Sequence, residues 1–249
     1  MILTSKNNPL IKETAALKEK KARKELSLFL VEGRKMAVEC QKSGFEIERV
    51  FVAESYAGEN PFPEAITVSV SDDVFRFLSD EKTPQGILCR ARIPDTSLKP
   101  PKGRCLLLDG VSDPGNVGAI LRTANAAGYA QAYLTQDCAD PFSPKSVRAS
   151  MSGIFFTEIH RGERKEILSL FAQTPIVVAD MGGANVFSFA PPENFALAIG
   201  NEANGISDEV AGMAAYTVKI PMRETQESLN AAVSAGIIMY VLNRDVFTK

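Results

Sequence analysis

CLLLDGVSDPGNVGAILRTANAAG, Cys105 to Gly128, reads as a strand, a polar turn and a helix in immediate succession. The apolar run Cys105–Leu108 is long enough for a buried strand and too short for a helix. Asp109 and Gly110 end it. Asp113 stands directly before Pro114, the order of an N-cap followed by proline at the first helical position. Val117, Ile120, Leu121 and Ala124 recur at helical spacing and predict a helix with one apolar face, which Gly128 stops. Strand, turn and helix in that order place ligands at the carboxyl end of a parallel sheet. Asn116 and Arg122 are polar residues in a helix of mostly small and apolar ones. Arg122 shares a face with Gly118 and Ala126, which lets a bulky group approach its guanidinium. A solvated surface arginine would equally satisfy this segment taken alone.

The surrounding composition sets the limits. At 249 residues the chain suffices for one large or two ordinary domains, each with its own core. A hydrophobic fraction of 45% and a charged fraction of 23% are those of a soluble globular protein. The net charge of −2 offers nucleic acid no overall attraction, so any such binding has to come from local patches. No apolar run reaches membrane-span length, and the opening MILTSKNNPL has no signal-peptide core. Cys40, Cys89, Cys105 and Cys138 are far apart and predict free thiols in the cytoplasm. His160 is the only histidine, which argues against a histidine-dependent triad or metal site and assigns that residue a structural place in a strand. No metal is expected.

Residues 6–26 read as one helix whose polar face carries Lys12, Lys18, Lys20, Lys21, Arg23 and Lys24. Such a run is ordinarily a solvated face. On a nearly neutral chain it also makes a phosphate-contacting surface, and Lys12, Lys20, Lys21 and Arg23 are the candidate contacts. Strands follow at Phe29–Val31, Ile47–Val52, Ile66–Val70 and Gly86–Ala91, with helices between them, one of them capped by Ser71. This alternation predicts a small α/β domain over residues 1–92. Residues 93–103, IPDTSLKPPKG, hold three prolines and little apolar content, so they predict a stiff linker. From residue 104 to 249 strands and helices alternate again, the sign of an α/β domain with a mostly parallel sheet. Lys145 and Arg148, at i and i+3 on a helix after a polar loop, add two cations near the Arg122 helix.

Two further stretches have the makings of a site. AIGNEANGIS, residues 198–207, follows a buried strand, and its glycines leave backbone groups open to a ligand. It is neither a Walker loop nor G-x-G-x-x-G, which argues against a nucleoside triphosphate and a conventional dinucleotide. IPMRETQESLNAAVSAG, residues 220–236, leads into an Ala/Gly-rich helix for which Ser228 is the expected N-cap, and it places Asn230 in the first turn.

In this order and spacing, DGVSDPGNVGAILRTANAAG, AIGNEANGIS and IPMRETQESLNAAVSAG resemble the signature motifs of the SpoU (TrmH) family of RNA ribose 2′-O-methyltransferases. Residues 1–92 resemble the substrate-binding domain that precedes the catalytic domain in that family, a small α/β fold like that of some ribosomal proteins. The resemblance implies a SPOUT-type domain over 104–249 with a deep trefoil knot, which chain-topology rules alone would discard. It implies S-adenosylmethionine bound against the second and third motifs, with Gly200, Ile220 and Leu229 as adenosyl-binding positions and Leu134 and Thr135 flanking them. It implies a homodimer through the knotted domain, with Arg122 of one subunit beside the cofactor of the other. Arg122, Asn116, Glu202, Ser228 and Asn230 are then the catalytic set. Arg122 orients the RNA phosphate and eases the developing alkoxide, Asn116 and Asn230 fix Arg122 and the ribose, and Glu202 holds the loop or Asn116. One departure stands out: Glu224 occupies a position at which the family usually has glycine, two residues after Met222. The expected partner is RNA, ribosomal before transfer RNA. A non-catalytic RNA-binding member of the same fold is the competing class. Methylation of a base is disfavoured by the NVGAILRTA and SLN stretches.

Overall fold

The computed structural model of the chain describes residues 2–225 and 228–247 and shows two sheets, one on each side of residues 93–103. In the first part the order is β1 (Ile2–Leu3), α1 (Pro9–Ala16), α2 (Lys20–Leu26), β2 (Leu28–Glu32), α3 (Arg34–Lys42), β3 (Ile47–Ala53), β4 (Thr67–Val70), α4 (Asp72–Leu78) and β5 (Ile87–Arg92). Its five strands lie in the order β1-β4-β3-β5-β2, with β5 antiparallel to both neighbours and the other pairs parallel. In the second part come β6 (Arg104–Asp109), α5 (Pro114–Ala126), β7 (Gln131–Thr135), α6 (Pro144–Ser150), β8 (Glu158–Gly162) and α7 (Arg164–Leu170). Then follow β9 (Ile176–Asn185), β10 (Phe195–Gly200), α8 (Asp208–Ala211), β11 (Ala214–Lys219), α9 (Ala231–Leu242) and α10 (Arg244–Phe247). The six strands run β11-β9-β10-β6-β7-β8, every neighbouring pair parallel.

Alternation within the apolar runs explains the layers. Leu106, Leu108, Leu197 and Ile199 face α5 and α9, while Cys105, Leu107, Ala196 and Ala198 face α7 on the other side. A sheet covered on both faces needs such continuous hydrophobic strands. Strand β6 leads to β7 on one side and its neighbour β10 leads to β11 on the other. The loops leaving these two strands therefore part, which is where ligands sit in open α/β sheets. Asp109 and Gly200 pair in register at that point.

Helix α5 forms as its sequence demands: Asp113 Oδ1 accepts the Asn116 N–H at 2.9 Å, and Val117, Ile120, Leu121 and Ala124 are buried. Its small face is taken up by the chain itself. A Cβ on Gly118 would run into the Ser146 carbonyl of α6, so the glycine serves helix packing rather than the approach of a ligand to Arg122.

The basic segment differs from the single helix expected over 6–26. It breaks into α1 and α2 because the Arg23 guanidinium folds back onto the Leu17 and Lys18 carbonyls, at 2.8 and 2.7 Å. Residues 93–103 are fastened along β8 and the neighbouring β7. Thr96 accepts the Arg161 N–H, Ser97 the imidazole Nδ1 of buried His160 at 2.6 Å, and Lys99 the Tyr133 hydroxyl. The sheets also share one apolar cluster, in which Phe29 meets Phe142 and Phe45 meets Phe155. Among the described residues no helix is long and apolar enough to cross a membrane.

Candidate active site

A cavity of about 410 Å3 opens at the carboxyl ends of β9, β10 and β11, roofed by the start of α9. Gly200, Ile220 and Leu229, three of the five expected cofactor positions, line it together with Met222 and Ser228. Leu134 and Thr135 do not. They are buried in β7, which β6 separates from β10, and the Thr135 hydroxyl accepts the Gly110 N–H at 2.9 Å. The expectation that they flank the pocket is corrected by strand order, which the sequence does not display.

The loop after β10 folds on itself. A Cβ at Gly200 would land on the Gly205 carbonyl, and Gly205 has φ +70°, so both positions require glycine. Asn201 and Gly205 exchange two backbone hydrogen bonds of 2.8 and 2.9 Å. The Asn201 side-chain Oδ1 accepts the N–H groups of Ala203 and Asn204, and its Nδ2 donates to the Gly110 carbonyl at 2.7 Å.

All three motifs meet through one chain of hydrogen bonds. Glu202 accepts from the Ser112 N–H at 3.1 Å, the Asp113 N–H at 3.4 Å and Asn116 Nδ2 at 2.8 Å. Asn116 Oδ1 in turn accepts from Asn230 Nδ2 at 3.0 Å. Partial burial works against the Glu202 charge, but the Asn116 amide and the backbone N–H groups outweigh it and hold the carboxyl below its ordinary value. Beside it, the Lys145 ammonium at 2.6 Å from Oδ2 holds Asp113 low as well.

Asn230 also replaces Ser228 as the N-cap of α9. Its Oδ1 accepts the N–H groups of Ala232 and Val233 at 2.9 and 3.2 Å, since α9 begins only at Ala231. Ser228 lines the cavity instead. Glu224 lies in the turn that leads toward Gln226 and Glu227, which are outside the described residues.

Arg122 is exposed, and among the described residues its side chain makes no hydrogen bond or ion pair. Six residues along α5 from Asn116, it stands about 9 Å further down the axis. Within one chain Asn116 and Asn230 hydrogen-bond to each other and not to Arg122.

The six expected RNA cations divide. Lys12, Lys20 and Lys21 are exposed on α1 and α2. Arg23 is 3% exposed and donates to Asp140 Oδ2 at 2.7 and 2.9 Å, joining α2 to the loop before α6. Lys145 pairs with Asp113, and Arg148 with Glu81 at 2.9 Å and Asp80 at 3.5 Å. Asn201, Ser112, Asp109 and Arg164 belong to the surroundings of the site and were not singled out from sequence. Asn201 stands inside a glycine loop whose pattern flagged it only collectively, while Arg164 reaches Asp109 from far along the chain with no local signal.

Comparison with known proteins gives the arrangement its context. The sequence model described as the SpoU rRNA Methylase family matches residues 103–240, and one described as the MRM3-like substrate binding domain matches residues 8–89. The 23S rRNA (guanosine(2553)-2′-O)-methyltransferase RlmP of Bacillus subtilis is 29% identical over 248 residues, which is 96% of this chain and 98% of its own. The AdoMet-bound rRNA methyltransferase from Sinorhizobium meliloti superposes with a TM-score of 0.88 at 27% identity, over 99% of this chain and 98% of that one. The SpoU methyltransferase AviRb from Streptomyces viridochromogenes, in complex with AdoMet, gives 0.84 at 26% identity, over 97% and 99%.

Proposed function

The chain belongs to the SpoU rRNA Methylase family, and from that premise we propose that it transfers the methyl group of S-adenosylmethionine to a ribose 2′-hydroxyl of 23S ribosomal RNA. The observation that carries this reading is the Asn230–Asn116–Glu202 chain, which ties the three motifs together on the rim of the cavity. A volume of about 410 Å3 falls inside the usual ~300–1,000 Å3 of small-molecule sites. The glycine-walled loop at Gly200 and Gly205 and the apolar side chains of Ile220 and Leu229 suit an adenosyl group.

When bound, S-adenosylmethionine supplies an already activated methyl group, so the chain's task is positioning and removal of one proton. Gly200, Ile220 and Leu229 hold the adenosyl moiety. Glu202 keeps the loop and Asn116 in place, and Asn230 and Ser228 set the start of α9 against the cavity. A guanidinium stays protonated in proteins, so Arg122 acts as a cation and not as a base. It orients the neighbouring RNA phosphate and lowers the cost of the developing alkoxide, and the phosphate or water accepts the proton.

Arg122 is exposed and does not line its own chain's cavity, which supports a dimer in which it serves the partner's. The face beside it supports the same reading: Val233 on α9 is 51% exposed and Tyr240 46%. The knotted threading is part of this proposal. α9 packs on α5 and β10 at the centre of the sheet, although the strand before it, β11, lies at the edge. We place the substrate-binding part at 1–92 and the catalytic part at 104–249, with exposed Lys12, Lys20 and Lys21 meeting RNA phosphate. Four buried free cysteines fit a cytoplasmic protein.

Ribose methylation mapped along 23S rRNA from cells with and without the gene tests the proposal. One 2′-O-methylated position is expected to disappear with the gene; an unchanged map contradicts the assignment.

A further inference from the structure

A second cavity, of about 280 Å3, lies on the other side of the loop that follows β10. Asn201 and Gly205 line both cavities, so this loop is a wall one backbone thick. Three fastenings hold the wall to the chain leaving β6. Asn201 reaches the Gly110 carbonyl, and Glu202 reaches Ser112, Asp113 and Asn116. The third is the Ser207 N–H, which donates to Asp109 Oδ2 at 2.7 Å.

The Asp109 side chain is only 1% exposed. A carboxylate buried that deeply needs a partner that is charged and hydrogen-bonded. Arg164, the first residue of α7, provides it: Nε donates to Asp109 Oδ1 at 2.7 Å, and Nη2 donates to Asp137 Oδ2 at 2.7 Å. The mechanism above uses neither Asp109 nor Arg164.

We propose that Arg164 is a positioning residue for the cofactor: by holding the Asp109 carboxylate in place, it fixes the Ser207 end of the loop and so the wall that Gly200 to Gly205 present to S-adenosylmethionine. The inference rests on reading the larger cavity as the cofactor site. Arg164 touches neither that cavity nor the reacting atoms. Its helix packs on the sheet face opposite α5, where Asn116 and Arg122 stand. Its loss therefore weakens cofactor binding without altering the catalytic groups or the basic helices α1 and α2.

The test uses the full-length protein, with S-adenosylmethionine affinity measured by calorimetry alongside kcat, both KM values and rRNA affinity. Arg164→Ala is expected to raise Kd and KM for S-adenosylmethionine about tenfold, with kcat and rRNA affinity held within about threefold. Arg164→Lys, which reaches one carboxylate at a time, is expected to fall between Ala and wild type. Asp137→Asn, which leaves the Arg164–Asp109 pair intact, should stay near wild type. If the alanine variant does not fold, the lysine variant decides: a rise in cofactor Kd of about threefold or more supports the proposal, and a smaller one overturns it. Cofactor and rRNA affinity falling together with kcat would also overturn it, since that is general damage. A wild-type protein that binds no S-adenosylmethionine sinks the functional reading and this inference with it, whereas unchanged variants of a binding-competent protein sink the inference alone.

Discussion

Asn230 donates its side-chain amide to Asn116 at 3.0 Å while its own carbonyl oxygen caps α9. One short side chain thus fastens the start of α9 to the first turn of α5, and through Asn116 to Glu202. The two jobs separate by substitution. Asn230→Asp keeps a good cap but replaces the donor by an acceptor. It is expected to leave the unfolding free energy within about 0.5 kcal/mol and to lower kcat/KM by about tenfold or more. Asn230→Ala loses both and costs about 1 kcal/mol of stability as well. Denaturant titration and steady-state kinetics on the two variants check the separation.

Arg122 offers a test of where its charge works. Arg122→Ala is expected to lower kcat by about 10²–10³, and Arg122→Lys to recover little of it, because the planar fork is lost. Gly200→Ala, whose added Cβ collides with the Gly205 carbonyl, is expected to be inactive by closing the loop. Mixing these two inactive chains should restore about a quarter of the wild-type activity if Arg122 acts on the partner's cofactor in a symmetric dimer. No recovery would place its action elsewhere.

The basic segment contains residues of two kinds. Lys20→Glu should leave stability unchanged, weaken rRNA binding and reduce the log–log salt slope by about one. Arg23→Ala should instead destabilise the protein by about 3 kcal/mol, because it strips Asp140 of its nearer cation and leaves the Leu17 and Lys18 carbonyls without their donor. Salt titration of binding and thermal unfolding read the two effects independently.

That contrast marks what the chain discloses in one dimension. The strand, cap and apolar face of Cys105–Gly128 were legible because local rules fix them: an aspartate before a proline, apolar residues at helical spacing, a glycine at positive φ. The three motifs announced a site, and Gly200, Ile220 and Leu229 do line one cavity. What stayed hidden depends on which distant segments meet. Charge spacing put Arg23 among the solvated lysines, yet its partner Asp140 lies in another part of the chain. Leu134 and Thr135, positions implied by the resemblance, lie in β7 outside the cavity lining, and strand order is invisible along the sequence. Asn230, not Ser228, caps α9 because the helix starts later than its composition suggests.

Glu32, at the end of β2, predicts a pH effect. Burial lifts its carboxyl above the ordinary 4.5, and hydrogen bonds from the Ser79 hydroxyl and Asp80 N–H only partly offset that, with Glu81 raising and Arg148 lowering it further. A raised folded value means the contribution to stability is fully present below the unfolded value and is lost as pH rises through the folded one. Glu32→Gln removes the disfavoured charge. It should raise Tm by about 2 °C at pH 7 and leave it unchanged near about pH 3.5, where the wild-type residue is protonated in both states.

The most direct measurement is nucleoside analysis of rRNA methylated in vitro. Purified protein is incubated with unmodified 23S rRNA and isotopically labelled S-adenosylmethionine, the RNA is digested to nucleosides, and the labelled one is identified. A single 2′-O-methylnucleoside is predicted; label on a base, or an RNA that stays unlabelled while the protein binds both cofactor and rRNA, would contradict the account.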